Sequence, residues 1–144
     1  MTASVHVVCS LCGGVNRVPN DKLVVGPKCG KCRQALFGHS PQALNADNFQ
    51  MVTTRNDIPV VVDFWAPWCG PCRGMAPAFE TAAQELEPRV RFAKVNTEQE
   101  SSIASGLSIR GIPTLIVFSR GKEIARHSGA MSESEIVRWV ESAL

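Results

Sequence analysis

From residue 59 onward, apolar positions change their period from one segment to the next. PVVVDFWA (59–66) is a continuous apolar, β-branched run, the pattern of a strand covered on both faces. CGPCRGMAPAFETAAQELE (69–87) turns to helical spacing. Pro71 falls in its first turn, where proline is tolerated, and Pro77 falls in its interior, where a kink is expected. VRFAKVN (90–96) predicts a second strand, and ESSIASGL a short helix ending near Gly106. TLIVFS (114–119) and KEIARH (122–127) flank Arg120-Gly121, a hairpin signal. In SESEIVRWVESAL, Ser132 and Glu135 have capping-box spacing, and Ile136, Val140 and Leu144 recur on one helical face. Upstream, Asn45 or Asp47 can open a short helix through Asn56, with Phe49 and Val52 inward. Strands alternating with helices predict an α/β fold, a sheet covered by helices.

Residues 1–35 follow no such pattern. Four cysteines, four glycines and the short apolar pieces VHVV and KLVV suggest small hairpins around a staple. A segment this short cannot hold itself together by burial alone, so a metal or disulfide is expected. LFGHSPQAL (36–44), with Gly38, Ser40 and Pro41, reads as a connector. Two domains are therefore expected, 1–38 and 42–144.

Charge sharpens this division. The net charge is +2, but residues 1–40 carry five basic groups against Asp21, and the remainder carries ten basic and twelve acidic groups. A basic front end fits nucleic-acid contact, yet four thiolates around Zn²⁺ total −2 and call for positive neighbours, so no nucleic-acid partner is expected. The longest apolar run, Pro59 to Val62 and its neighbours, is too short to span a membrane. MTASVHVVCS lacks a charged start and a long apolar run, so a cytoplasmic, thiol-reducing location is expected. There, cysteine pairs serve metals or catalysis more often than structural disulfides.

The C-x-x-C spacing occurs three times, and it fits both a cycling disulfide and half of a metal cage. Cys69 and Cys72 lie where a buried strand feeds a helix. Unpaired N–H groups at the helix start favour a thiolate at Cys69, and Cys72 one turn further can reach it. The flanking Trp65, Pro67 and Trp68 are apolar, and no further cysteine follows, so this pair reads as redox-active. Cys9-x2-Cys12-x16-Cys29-x2-Cys32 instead has the paired-knuckle zinc pattern, with Gly13, Gly14 and Gly30 supplying tight turns. One structural Zn²⁺ is expected, with release by oxidants as a regulatory possibility; two disulfides or an iron–sulfur cluster are the alternatives. His6 and His39 read as surface residues. Asp63 interrupts VVVDFW. A carboxyl in a buried strand is costly when charged, so its pKa should rise and make it a proton acceptor near neutrality.

FWAPWCGPC, the following helix with Pro77, and GIPT (111–114) resemble the thioredoxin family over about 42–144. The cysteine-rich front end narrows the resemblance to its zinc-binding bacterial type. The resemblance implies a thioredoxin fold, a central mixed sheet flanked by helices, preceded by a small zinc-ribbon-like domain. It implies a protein-disulfide reductase with Cys69 as nucleophile and Cys72 as resolving thiol, Asp63 serving Cys72 in proton transfer. It places Lys94 near Asp63, although an ordinary solvent-facing strand position fits the sequence equally. It makes Ile112-Pro113 a cis-proline loop facing the cysteines, where the Ile112 backbone can pair with an extended client. Trp68, Gly70, Pro71 and Gly129 then belong to the client-binding face, while Trp65 is mainly packing. Electrons would come from NADPH through thioredoxin reductase, because the chain has no GxGxxG motif and no bound organic cofactor is expected. Disulfide-containing proteins are the expected clients, and composition gives no reason for a dimer. The rivals are a binding protein that uses the zinc module to hold clients, and an oxidase or isomerase built on the same motif.

Overall fold

The computed structural model describes residues 3–144. The apolar run forms β4 (Val60–Trp65), buried along nearly its whole length at the centre of a five-stranded sheet. The sheet order is β3 (Gln42–Ala43), β5 (Arg91–Asn96), β4, β6 (Thr114–Ser119), β7 (Lys122–Ser128). β5 lies parallel to β4, β6 antiparallel to it, and β7 closes a hairpin on β6. Arg120 and Gly121 both take positive φ, 50° and 88°, as a two-residue hairpin turn requires.

Strand alternation sorts the core into two layers. Val61, Phe92, Leu115 and Val117 face α2 (Gly70–Leu86) and α4 (Glu133–Ala143). Val60, Val62, Phe64, Ile116 and Phe118 face α1 (Phe49–Arg55), and the short α3 (Ser101–Gly106) adds Ile103 to that layer. The capping box is present: the Glu135 N–H donates to Ser132 Oγ at 3.3 Å, and the Ser132 N–H donates to Glu135 Oε1 at 3.1 Å. The buried stripe of α4 is Ile136, Val137 and Val140. Leu144, expected on that face, lies past the helix end and is 56 % exposed. Among the described residues, no helix is long and apolar enough to cross a membrane.

The front end holds a hairpin of β1 (Ser4–Val8) and β2 (Val15–Pro19). KLVV is not a strand. It belongs to a 3-10 helix over Asn20–Val25 that leaves Val24 and Val25 exposed and stops at Gly26 in the left-handed conformation. An apolar run without alternation does not by itself fix a strand. The connector is also tighter than its composition suggests. Leu36 and Phe37 are buried beside Val7, Val18 and Ile58, and Gln42–Ala43 joins the sheet edge.

Two charged residues that the sequence reading passed over fasten this join. Arg91, 2 % exposed, donates from Nη1 to the Val8 carbonyl at 2.7 Å and from Nη2 to the Leu36 carbonyl at 3.0 Å. Glu87, buried at the end of α2, accepts from the Phe92 N–H at 2.9 Å and the His39 N–H at 3.0 Å. Buried charges persist only where hydrogen bonds replace lost water, and each of these has such partners. Burial pushes the Glu87 carboxyl up, against the Phe92 N–H and the Arg91 charge.

Candidate functional site

β4 carries Asp63 and Trp65 to the sheet's end, and the chain then turns through Pro67 and Trp68 into α2. Cys69 is the N-cap of that helix. Its backbone is extended, and its Sγ accepts the Cys72 N–H at 3.2 Å. Pro71 occupies the first turn, where its missing N–H deprives no carbonyl of a partner. Cys69 and Cys72 are joined in a disulfide with 5.3 Å between Cα atoms, inside the ordinary range. They are 4 % and 1 % exposed, whereas Trp68 beside them is 69 % exposed and Gly70 and Pro71 are also at the surface. The pair thus combines a small opening with an apolar rim. When reduced, Cys69 would have the α2 amide ends directed at it, which favours its thiolate.

The Ile112–Pro113 peptide is cis and lies across from the disulfide, with the Ile112 carbonyl oxygen 3.8 Å from Cys69 Sγ. Ala66, Trp65 and Ile112 pack around the two cysteines. The Gly129 N–H donates to the Pro113 carbonyl at 2.9 Å, and Gly129 has φ +111°, a conformation that disfavours any side chain. A surface groove of about 180 Å³ runs past Trp68, Thr97, Arg110, Gly111 and Ile112. Trp68 and Ile112 therefore share one groove beside Cys69, and Gly70 and Pro71 are exposed next to Cys69 in the chain.

Asp63 is buried, 4 % exposed, opposite Lys94 on β5 and Leu115 on β6. A cavity of about 190 Å³ joins Asp63, Cys72, Trp65, Lys94 and Pro41. Asp63 Oδ1 is buried with no hydrogen-bond partner among the described residues. Burial pushes its carboxyl up to about 7, with the Lys94 charge pulling the other way. A cavity this large, lined by a carboxyl and an amine, can admit water. Lys94 is half-buried, with Nζ 5.7 Å from the Trp65 ring centroid, so it is no ordinary solvent-facing strand residue.

The other four cysteines meet within the front end. All four sulfurs lie within 4.8 Å of one another, with Cys9–Cys32 at 3.6 Å and Cys12–Cys29 at 3.5 Å. Zn–S bonds of about 2.3 Å would put sulfurs on a tetrahedron with edges of about 3.8 Å, which these separations bracket. In each knuckle an N–H two residues on points at the first or second sulfur: Gly14 to Cys12 and Lys31 to Cys29, both at 3.4 Å. The cluster cannot carry four negative charges unaided. The Cys32 N–H and the Asn16 side chain draw the Cys29 thiol down to about 6. Cys32, although the Gln34 N–H draws it down, is pushed up to about 11 by burial and the Cys9, Cys12 and Cys29 sulfurs. A dication supplies the charge that lets all four ionise, so the donor set fits a closed Zn²⁺ site. His6 instead places Nδ1 3.0 Å from Asp57, and neither His6 nor His39 joins the cluster among the described residues.

The Thioredoxin family model matches residues 40–142. The chain belongs to the thioredoxin family. A second model, described as Thioredoxin 2, N-terminal, matches residues 8–34. Thioredoxin C-3 of Corynebacterium nephridii is 44 % identical over 138 residues, covering 96 % of this chain and 94 % of the relative. The chloroplastic M-type thioredoxin of Chlamydomonas reinhardtii is 43 % identical over 102 residues, 71 % of this chain and 73 % of the relative. Among solved structures, a Malassezia sympodialis thioredoxin superposes with a TM-score of 0.67 at 36 % identity, covering 72 % of this chain and 90 % of that one. Thioredoxins are disulfide oxidoreductases, and the bonded Cys69–Cys72 pair is the group in this chain suited to that chemistry.

Proposed function

We propose that the chain is a protein-disulfide reductase whose 42–144 domain does the chemistry while residues 1–38 form a module held by one structural Zn²⁺. In the reduced state the Cys69 thiolate attacks one sulfur of a client disulfide. A Cys69–client bond forms and the other client sulfur leaves as a thiolate. Asp63 takes the proton of Cys72 through the shared cavity. Cys72 then attacks Cys69 Sγ, the Cys69–Cys72 bond forms, and the second client thiolate departs. Two electrons have passed from the dithiol to the client. Lys94 tempers the charge on Asp63, and Trp68, Ile112 and Gly129 receive the client strand, with Gly70 and Pro71 shaping the turn between the cysteines.

The observation that carries this reading is the nearly buried Cys69–Cys72 disulfide at a helix start, sharing a cavity with a buried carboxyl of raised pKa. Returning the protein to the dithiol needs an external two-electron donor, for which the family implies thioredoxin reductase and NADPH. Cys9, Cys12, Cys29 and Cys32 would hold the Zn²⁺ and leave it no open position for catalysis, so its role would be in folding. A cytoplasmic, monomeric protein acting on disulfide-containing proteins completes the proposal. Insulin reduction driven by dithiothreitol tests it. The chain accelerates insulin B-chain precipitation and Cys69→Ser abolishes the acceleration. Equal rates with and without the wild-type chain would leave only a binding role.

A further inference from the structure

Pro41 belongs to the connector, yet it lines the same cavity as Asp63, Cys72 and Lys94. The chain on both sides of it is fixed. Before it, the Leu36 carbonyl accepts from Arg91, and the His39 N–H donates to Glu87. After it, Gln42 accepts from Ser10 Oγ at 3.2 Å, Gln42 and Ala43 pair with Ala93 and Lys94, and the Leu44 N–H donates to the Lys94 carbonyl at 2.9 Å. Arg91 also grips the first cysteine knuckle through Val8 at 2.7 Å and Ser10 at 3.4 Å, with its guanidinium 5.3 Å from the Phe37 ring centroid. The front end, the connector and the strand that carries Lys94 are thus held at one point.

We propose that Arg91 is a positioning residue of the redox site: it fastens the front module and connector to β5 so that Pro41 closes one side of the Asp63 cavity and limits the water that reaches the carboxyl. The functional consequence rests on the reading that Asp63 serves Cys72. The wall itself does not. The less water reaches a carboxyl, the more its charged form is disfavoured, and an opened wall hydrates that form. Lys94 from β5 and Cys72, Arg73 and Glu80 from α2 line the same cavity as Asp63, and all four remain when Pro41 or Arg91 is replaced. Leu115 opposite it on β6 carries no charge. Arg91 shares its strand face with Ala93 and Val95, whereas Lys94 lies on the face of Asp63. Removing the Arg91 charge alone would raise the Asp63 midpoint; opening the wall lowers it. The sign separates the two effects.

The test is a carbon-13 NMR titration of the Asp63 carboxyl in the full-length, zinc-loaded, oxidised protein. Pro41→Ala and Arg91→Met each lower the Asp63 midpoint by about one pH unit. Ser10→Ala lowers it by less. An unmoved midpoint in Pro41→Ala, or a raised midpoint in folded Arg91→Met, overturns the proposal. Should Arg91→Met fail to fold, Pro41→Ala and Ser10→Ala decide, and an unmoved midpoint in either overturns it. Insulin reduction by Asp63→Asn keeps the two readings apart. A full rate there, with a lowered midpoint in Pro41→Ala, keeps the wall and removes Asp63 from proton transfer.

Discussion

Replacing Asp63 with Asn removes a charge from the sheet while keeping the side chain's size. In the folded protein burial lifts the Asp63 carboxyl from its ordinary 3.8 to about 7. At about 1.4 kcal/mol per pH unit, that amounts to about 4 kcal/mol. The sign follows from proton counting. Between pH 4 and 7 the unfolded chain has lost the Asp63 proton and the folded chain keeps it, so stability falls as pH rises. Below pH 4 both states are protonated and the burden vanishes. Above pH 7 both are ionised and it stays at its full value. Asp63→Asn therefore gains on the wild type through that window and levels off above it. Urea unfolding of the oxidised, zinc-loaded proteins, followed by tryptophan fluorescence at pH 5, 6, 7 and 8, reads the difference. With a slope of about 2 kcal/mol per molar urea, the midpoints separate by roughly 2 M at pH 8. The same variant reduces insulin more slowly at neutral pH, on the order of 100-fold, because Cys72 loses its base. A stability gap that does not change between pH 5 and 8 would mean that Asp63 ionises freely, and the argument from burial would fail.

Cys72→Ser leaves Cys69 able to attack but removes the resolving thiol. The variant accumulates a mixed disulfide with client protein, seen as a mass adduct released by dithiothreitol, and Cys69→Ser accumulates none. Cys29→Ser leaves three sulfurs at the metal site. It loses most of its zinc, and amide exchange of β1 and β2 rises while β4 and α2 remain protected.

Much of this was legible because local chemistry and tertiary position agree. VVV before Asp63 requires cover on both faces, and the structure supplies α2 and α4 on one side and α1 on the other. Ser132 and Glu135 cap their own helix whatever lies around them. The cysteine spacing brings four sulfurs together because each knuckle is a local turn. The failures share the opposite cause. KLVV looks apolar enough for a strand, but among the described residues no strand pairs with it, and Pro19-Asn20-Asp21 starts a helical turn instead. Arg91 in RFAKVN looks like an ordinary strand residue. Its parity with Ala93 and Val95 in a strand covered on both sides was the available signal, since a charge there must find buried partners. Those partners are backbone carbonyls more than fifty residues away, which no local pattern discloses. Glu87 at the end of α2 was hidden for the same reason.

The division of labour among the six cysteines is tested most directly by native intact mass of the full chain, before and after a mild thiol reductant. Retention of one zinc, with a gain of two hydrogens on reduction, is the predicted result: Cys69 and Cys72 cycle while Cys9, Cys12, Cys29 and Cys32 hold metal. No metal and a gain of six hydrogens would mean three disulfides, and would contradict the zinc site and the separation of roles built on it.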